Sequence, residues 1–271
     1  MPGLASVFRD EDLLFLVQVL MPGTGDQQRM IRVLREDEEI LEGMLADEKV
    51  IRRLLEDPLS VLRVSPALFF AILLARVKAD LERQPFTFER SKGFTMPLFD
   101  APQILQLLEN RELRAYLTEM LVSFVRINTF STAVRVRQGL WRRVRFNDFD
   151  IDSLVNYGSA IDDAQRFPVY KRIADICLFT LGIFSPPGRE QNLPYPFPQA
   201  RSPLSSRRSR DDYIAQGTSF YALASRHREA QARKLSEVLS TLAEKFTLAA
   251  KPLSVMSMRY LEPFKENVFL Q

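Results

Sequence analysis

A chain of 271 residues, 46% hydrophobic and 26% charged, is long enough to bury a core of its own, and only 10 glycines disfavour a strand-rich fold. A single cysteine (Cys177) excludes an internal disulfide framework, and one cysteine with one histidine (His227) excludes a structural zinc site or a di-iron centre built on paired Glu-x-x-His motifs. The net charge of +3 hides an asymmetry: the first sixty residues carry 13 acids against 7 bases, whereas 126–145 holds six arginines and no acid.

Met1 to Asp12 lacks a basic stretch followed by an apolar one, so no secretory leader is read and a cytoplasmic protein is expected. Leu4 to Leu20 predicts a first helix, stopped by Met21-Pro22-Gly23-Thr24-Gly25. Asp26 is placed to cap a second helix running to about Ala46, with Ile31, Leu34, Leu41 and Leu45 on its apolar face. Asp47 caps a short helix to Glu56, and Asp57-Pro58 restarts the chain. Ser65-Pro66 is a strong start signal, a capping hydroxyl followed by proline at the first helical position. Ala67 to Ala75 is then apolar on every side, which predicts a central helix over 66–82 with Phe70 in the core. The run from Pro66 to Ala75 is too short to span a bilayer.

Gln84 to Pro97, with Phe86, Phe88 and Phe94 around Ser-Lys-Gly, reads as a connector or at most a short hairpin. Helices are expected at 101–110, 112–125, 152–160 (capped by Asp152) and 170–184, and a less regular one over 129–144, where Thr and Val lower the propensity. Between 185 and 210 six prolines forbid a helix and favour extended geometry around Pro194-Tyr195-Pro196-Phe197-Pro198. Asp211 to Lys251 has no proline and carries apolar residues at helical spacing, first Tyr213, Gly217, Phe220 and Ala224, then Leu235, Val238, Leu242, Phe246 and Ala249. One long helix is predicted there, laid along the 66–82 helix. The Tyr213-x-x-x-Gly217-x-x-Phe220 spacing resembles the first helix of a tetratricopeptide repeat, but it occurs once, so no solenoid is expected. The fold class is therefore all-α: a multi-helix globular bundle of about ten helices forming one domain over 1–271. Its subdivisions are 1–90, 91–184, a Pro/Arg-rich loop at 185–210, and a C-terminal helix and tail at 211–271.

The catalytic inventory is poor. The alternating acids Asp148, Asp150 and Asp152 resemble the opening of a calcium loop, but Ser153 and Ser159 stand where its glycine and bidentate glutamate belong, so capping and first-turn charge are the expected roles. Asp162-Asp163-Ala164-Gln165-Arg166 resembles the aspartate-rich magnesium motif of all-helical isoprenoid synthases, except that Arg166 replaces the third acid and no second acidic motif exists. His227, flanked by Arg226 and Arg228, reads as a surface residue rather than a base. No nucleophile elbow and no phosphate-cradling glycine loop is present. No catalytic residue, cofactor or metal ligand is assigned.

What remains are surfaces. Tyr195 and Phe197 in the proline-rich loop, together with the long helix, point to a non-catalytic interaction or scaffold protein binding a protein partner. Arg135, Arg137, Trp141, Arg142, Arg143 and Arg145 form a basic, aromatic patch suited to nucleic acid, unless it docks on the acidic N-terminal third. A magnesium-dependent enzyme of an all-α class is the third reading.

Overall fold

The computed structural model describes residues 4–83, 87–91, 94–98, 100–125, 129–137, 140–184 and 208–262. Fourteen α-helical segments dominate them, as the sequence leads one to expect, and two antiparallel hairpins accompany the helices. The chain divides into two compact units. One is formed by the described residues up to 125 together with those from 251 onward, the other by those from 126 to 250.

The first unit begins with a 3₁₀ turn at Leu4–Val7 and then α1 (Asp10–Leu20), α2 (Gln27–Glu36), α3 (Glu38–Ala46), α4 (Glu48–Glu56) and α5 (Pro58–Arg63). Asp26 caps α2 by accepting the Arg29 N–H at 3.0 Å, and Asp47 caps α4 by accepting that of Lys49 at 2.7 Å. The single helix expected from Asp26 to Ala46 is broken at Asp37, whose carboxylate accepts the N–H groups of Glu39 and Ile40, both at 3.0 Å. A side chain that can bond the backbone ahead of it competes with helix continuation, and here it wins.

α6 (Pro66–Arg83) is the centre of this unit and packs on α3, α4, α7 (Ala101–Glu109) and α8 (Arg111–Ser123). Leu68, Ile72, Leu73 and Val77 are fully buried, as an all-round apolar helix requires. Phe70 is only half-buried, packed edge-on to Phe69 with ring centroids 5.3 Å apart, so it is not the core residue the sequence predicts. The start of α6 is fixed twice: Ser65 Oγ accepts the Leu68 N–H at 3.1 Å, and the Ser65 N–H donates to Asp12 at 2.7 Å. Asp12 lies in the first turn of α1, is 1% exposed, and accepts the Arg9 N–H with its other oxygen at 3.0 Å. After α6 the segment that reads as a connector or hairpin forms the hairpin, β1 (Thr87–Ser91) with β2 (Phe94–Leu98).

The second unit opens with β3 (Thr129–Arg137) and β4 (Leu140–Asn147), an antiparallel hairpin where the sequence places a helix. β-Branched and aromatic residues alternating with polar ones fit a pleated strand better than a helix, and that preference decides the segment. α9 (Ile151–Ala160), α10 (Phe167–Phe179) and a π-helical turn (Thr180–Phe184) follow, then α11 (Arg210–Arg226), α12 (Arg228–Ala232), α13 (Ser236–Glu244) and the start of α14 (Phe246–Met256), whose residues from 251 onward belong to the first unit.

The long helix expected over 211–251 is therefore four segments. The chain turns at His227 (φ −71°, ψ 140°), at Lys234 (φ 56°, left-handed) and at Lys245 (φ −113°, ψ 32°). The reason is packing. α11 packs on α10 and α13, and Phe246 returns to press its ring on Gly217. In a continuous helix those two residues would stand about 44 Å apart at about 1.5 Å per residue. Breaking the helix closes one core from both halves of the apolar stripe. Between α10 and α11, Asp175 (1% exposed) accepts from Tyr221 Oη at 2.8 Å and from Lys171 Nζ at 2.7 Å.

Two predictions follow from these contacts. A Cβ at position 217 would overlap the Cζ–Cε2 edge of the Phe246 ring and stand 3.0 Å from Cys177 Cβ. Gly217→Ala should cost about 1–3 kcal/mol through overpacking, read as a lower urea midpoint with an unchanged slope. Phe246→Leu should then cost less in the Gly217→Ala background than in the native one; equal costs would show that the ring does not set the demand for glycine. Asp12→Ala should cost at least about 1–3 kcal/mol by stranding the Ser65 N–H. Asp12→Asn should fall between wild type and Asp12→Ala in chemical denaturation, because its single carbonyl oxygen can satisfy only one of the two donors.

Candidate functional site

The structure settles the acidic motifs locally. Asp148 pairs with Arg172 at 3.3 Å, Asp150 accepts from the Ser153 hydroxyl, and Asp152 pairs with Arg208. Asp150, not Asp152, occupies the position preceding α9, and Asp152 lies in its first turn. Asp163 pairs at 3.4 Å with Arg166, the residue that departs from the magnesium motif. Among the described residues no three His, Cys, Asp or Glu side chains come together as metal ligands would. None of their helices is long and apolar enough to cross a membrane.

His227 ends α11 and starts α12. Its Nδ1 accepts the Glu229 N–H at 3.2 Å, and its Nε2 stands 3.0 Å from the Asp163 carbonyl oxygen. One neutral tautomer, with the proton on Nε2, satisfies both contacts. The ring also lies beside Phe167, centroids 5.7 Å apart, with the Arg233 guanidinium 5.6 Å from the Phe167 centroid. It forms a half-buried corner between α11 and α12. Cys177 is fully buried and burial pushes its thiol up to about 12, far from the range of a nucleophile.

Of the surface residues singled out in the sequence, Tyr195 and Phe197 lie outside the described residues. The six patch residues all fall on the β3–β4 hairpin. Its register sets Arg135 opposite Trp141, Ala133 opposite Arg143, Ser131 opposite Arg145 and Val134 opposite Arg142, with a register shift before Arg137, which pairs with Leu140.

A groove that sequence reasoning missed lies between α9, α10 and α11. It encloses about 390 Å³. α9 contributes Leu154, Val155 and Gly158, α10 contributes Val169, Tyr170 and Ile173, and α11 contributes Phe220 and Leu223. The Tyr170 and Phe220 rings meet with centroids 5.8 Å apart. Val155 is 37% and Leu223 46% exposed. The available signal was an apolar residue off the helical stripe: Leu223 falls between the buried Tyr221 and Ala224 and has no inward place of its own.

In the first unit a cavity of about 300 Å³ lies among α3, α6 and α8, floored by Gly43, Ala71 and Ala75. Four of its lining charges are paired, Glu42 with the buried Arg114 and Lys78 with Glu82, and Glu42 also pairs with Arg111 nearby. A second charged cluster centres on Asp80, which pairs with Arg76 at 3.1 Å and Arg259 at 3.3 Å and accepts from the Tyr260 hydroxyl.

Compared with protein-family models, curated proteins and solved structures, the chain matches none.

Burial, and then its bond to Asp80, push the Tyr260 phenol from 10.0 up to about 12. A folded-state value above the unfolded one means stabilisation that is complete below the unfolded value of 10.0 and is lost as pH rises through about 12. The gap in melting temperature between wild type and Tyr260→Phe should therefore be widest at about pH 9 and shrink towards about pH 12. A gap independent of pH over that span would mean that the phenol proton is not held by Asp80.

Proposed function

We propose that this is a non-catalytic interaction protein whose second unit receives an apolar segment of a protein partner in the groove between α9, α10 and α11. One observation carries the reading. The two exposed large hydrophobic residues among the described side chains of that unit, Val155 and Leu223, line the same groove beside the Tyr170–Phe220 pair. Exposed apolar side chains scattered singly need no explanation, but their convergence on a concave, aromatic-walled surface marks a docking site. A short amphipathic helix fits such a groove through anchors at i, i+3 or i+4 and i+7. The poor set of catalytic groups favours binding over chemistry, and a lone reduced thiol suits the cytoplasm we propose as its compartment.

The test is the double variant Val155→Glu/Leu223→Glu, with a photoreactive residue in place of Leu223 in a parallel preparation. The wild type should retain a discrete protein from the native host that also cross-links from position 223. The double variant should lose it at an unchanged melting temperature, because surface substitutions stay within about 0.5 kcal/mol. Retention of every partner by the double variant, or a fall in stability of the size a core substitution causes, would overturn the proposal.

A further inference from the structure

The β3–β4 hairpin carries an inference independent of the groove. Its strand residues include five arginines, Trp141 and no acid. In a helix, 100° per residue would scatter Arg135, Trp141, Arg143 and Arg145 around the axis. In the hairpin they are gathered, because alternate residues of a strand and directly opposed residues of a pair share a face. Arg135 opposite Trp141, Arg143 opposite Ala133 and Arg145 opposite Ser131 put all four residues on one face, among the small Ser131 and Ala133. The other face takes Phe130, Val134, Val144 and Phe146, with Arg142 as its single charge before the register shift. The ribbon is thus divided into a basic, aromatic face and an apolar one, and β4 packs on α9 at its base.

We propose that the face bearing Arg135, Trp141, Arg143 and Arg145 binds a single-stranded nucleic acid. The three arginines take phosphates and Trp141 stacks on a base. Arg143 and Arg145, two residues apart on one strand, are spaced by about 6.8 Å along it. Guanidinium groups suit phosphate by geometry as well as charge, and an aromatic ring supplies the sequence-tolerant stacking that single-strand binding uses.

Trp141 is the sole tryptophan, so emission excited selectively at tryptophan, beyond the absorption of the seven tyrosines, reports on this face alone. Titration with a twenty-nucleotide oligothymidine should quench it saturably. Affinity should fall about twenty-fold between about 50 and 200 mM salt, as three phosphate contacts to a single strand dictate. Arg143→Ala and Arg145→Ala should each flatten the dependence of log Kd on log salt by about 0.7. Arg142→Ala, next in sequence but on the other face, should leave it unchanged. Circular dichroism and melting temperature establish that each variant is folded, and the wild-type quench and salt slope stand as a test without any variant. The proposal is overturned by the absence of quenching at about 50 mM salt, by equal effects of Arg142→Ala and Arg143→Ala, or by preference for a duplex of the same length. Equal quenching by polyglutamate would overturn it in favour of an acidic protein partner.

Discussion

A carboxylate taken out of water must have its oxygens bonded, or the fold bears the cost of an uncompensated charge. Asp12 meets that demand with two backbone donors 56 residues apart in the chain, Arg9 N–H and Ser65 N–H, and so ties the start of α1 to the start of α6. Because α6 is the helix on which α3, α4, α7 and α8 pack, the position of its first turn propagates through the whole first unit. The second unit uses the same device. Asp175 on α10 is buried and bonded by Tyr221 on α11, and Lys171 supplies the countercharge from the same helix. In both units apolar area supplies the drive to collapse, and one buried aspartate selects which helices meet and in what register.

Local chemistry was legible in the sequence where a single signal decides the backbone. Asp26, Asp47 and Ser65-Pro66 each start a helix as read, and the apolar run after Pro66 forms the buried centre. The failures arise where periodicity competes with another signal, in some places local and in others distant. Asp37 and His227 both lie within helical periodicity, yet each bonds backbone ahead of itself and ends the helix. The break after α11 is rewarded only when Phe246 meets Gly217, a contact 29 residues apart that periodicity does not encode. Over 129–147 the alternation of Thr, Phe, Val and Arg was a period-two signal, with Gln138-Gly139 between its halves. The arginines obscured it, because they sit comfortably in a helix as well. Of the site residues, the basic patch was visible by composition and its division into faces was not. The α9–α10–α11 groove left only the off-stripe Leu223 as a trace, because its walls come from three separate segments.

The distribution of charge also reads differently in three dimensions. Many of the N-terminal acids find bases within their own unit: Asp10 with Arg35, Glu38 with Arg111, Glu42 with Arg111 and Arg114, Glu48 with Arg52, Asp57 with Arg53. Most of these pairs are exposed on at least one side and contribute little each, typically under about 1 kcal/mol. Their effect is to use up the acidic excess locally. The strands of the β3–β4 hairpin, by contrast, carry arginines and no acid, so the ribbon holds no countercharge of its own.

Cys177 lies in the seam between α10 and α11, beside the glycine that admits the Phe246 ring, with its thiol proton held tightly by the apolar surroundings. A sulfhydryl in that setting is chemically silent while the seam is shut, because only the thiolate attacks an electrophile. Its modification rate therefore counts the excursions in which α10 and α11 part, and the chain carries its own clock for the breathing of its second unit.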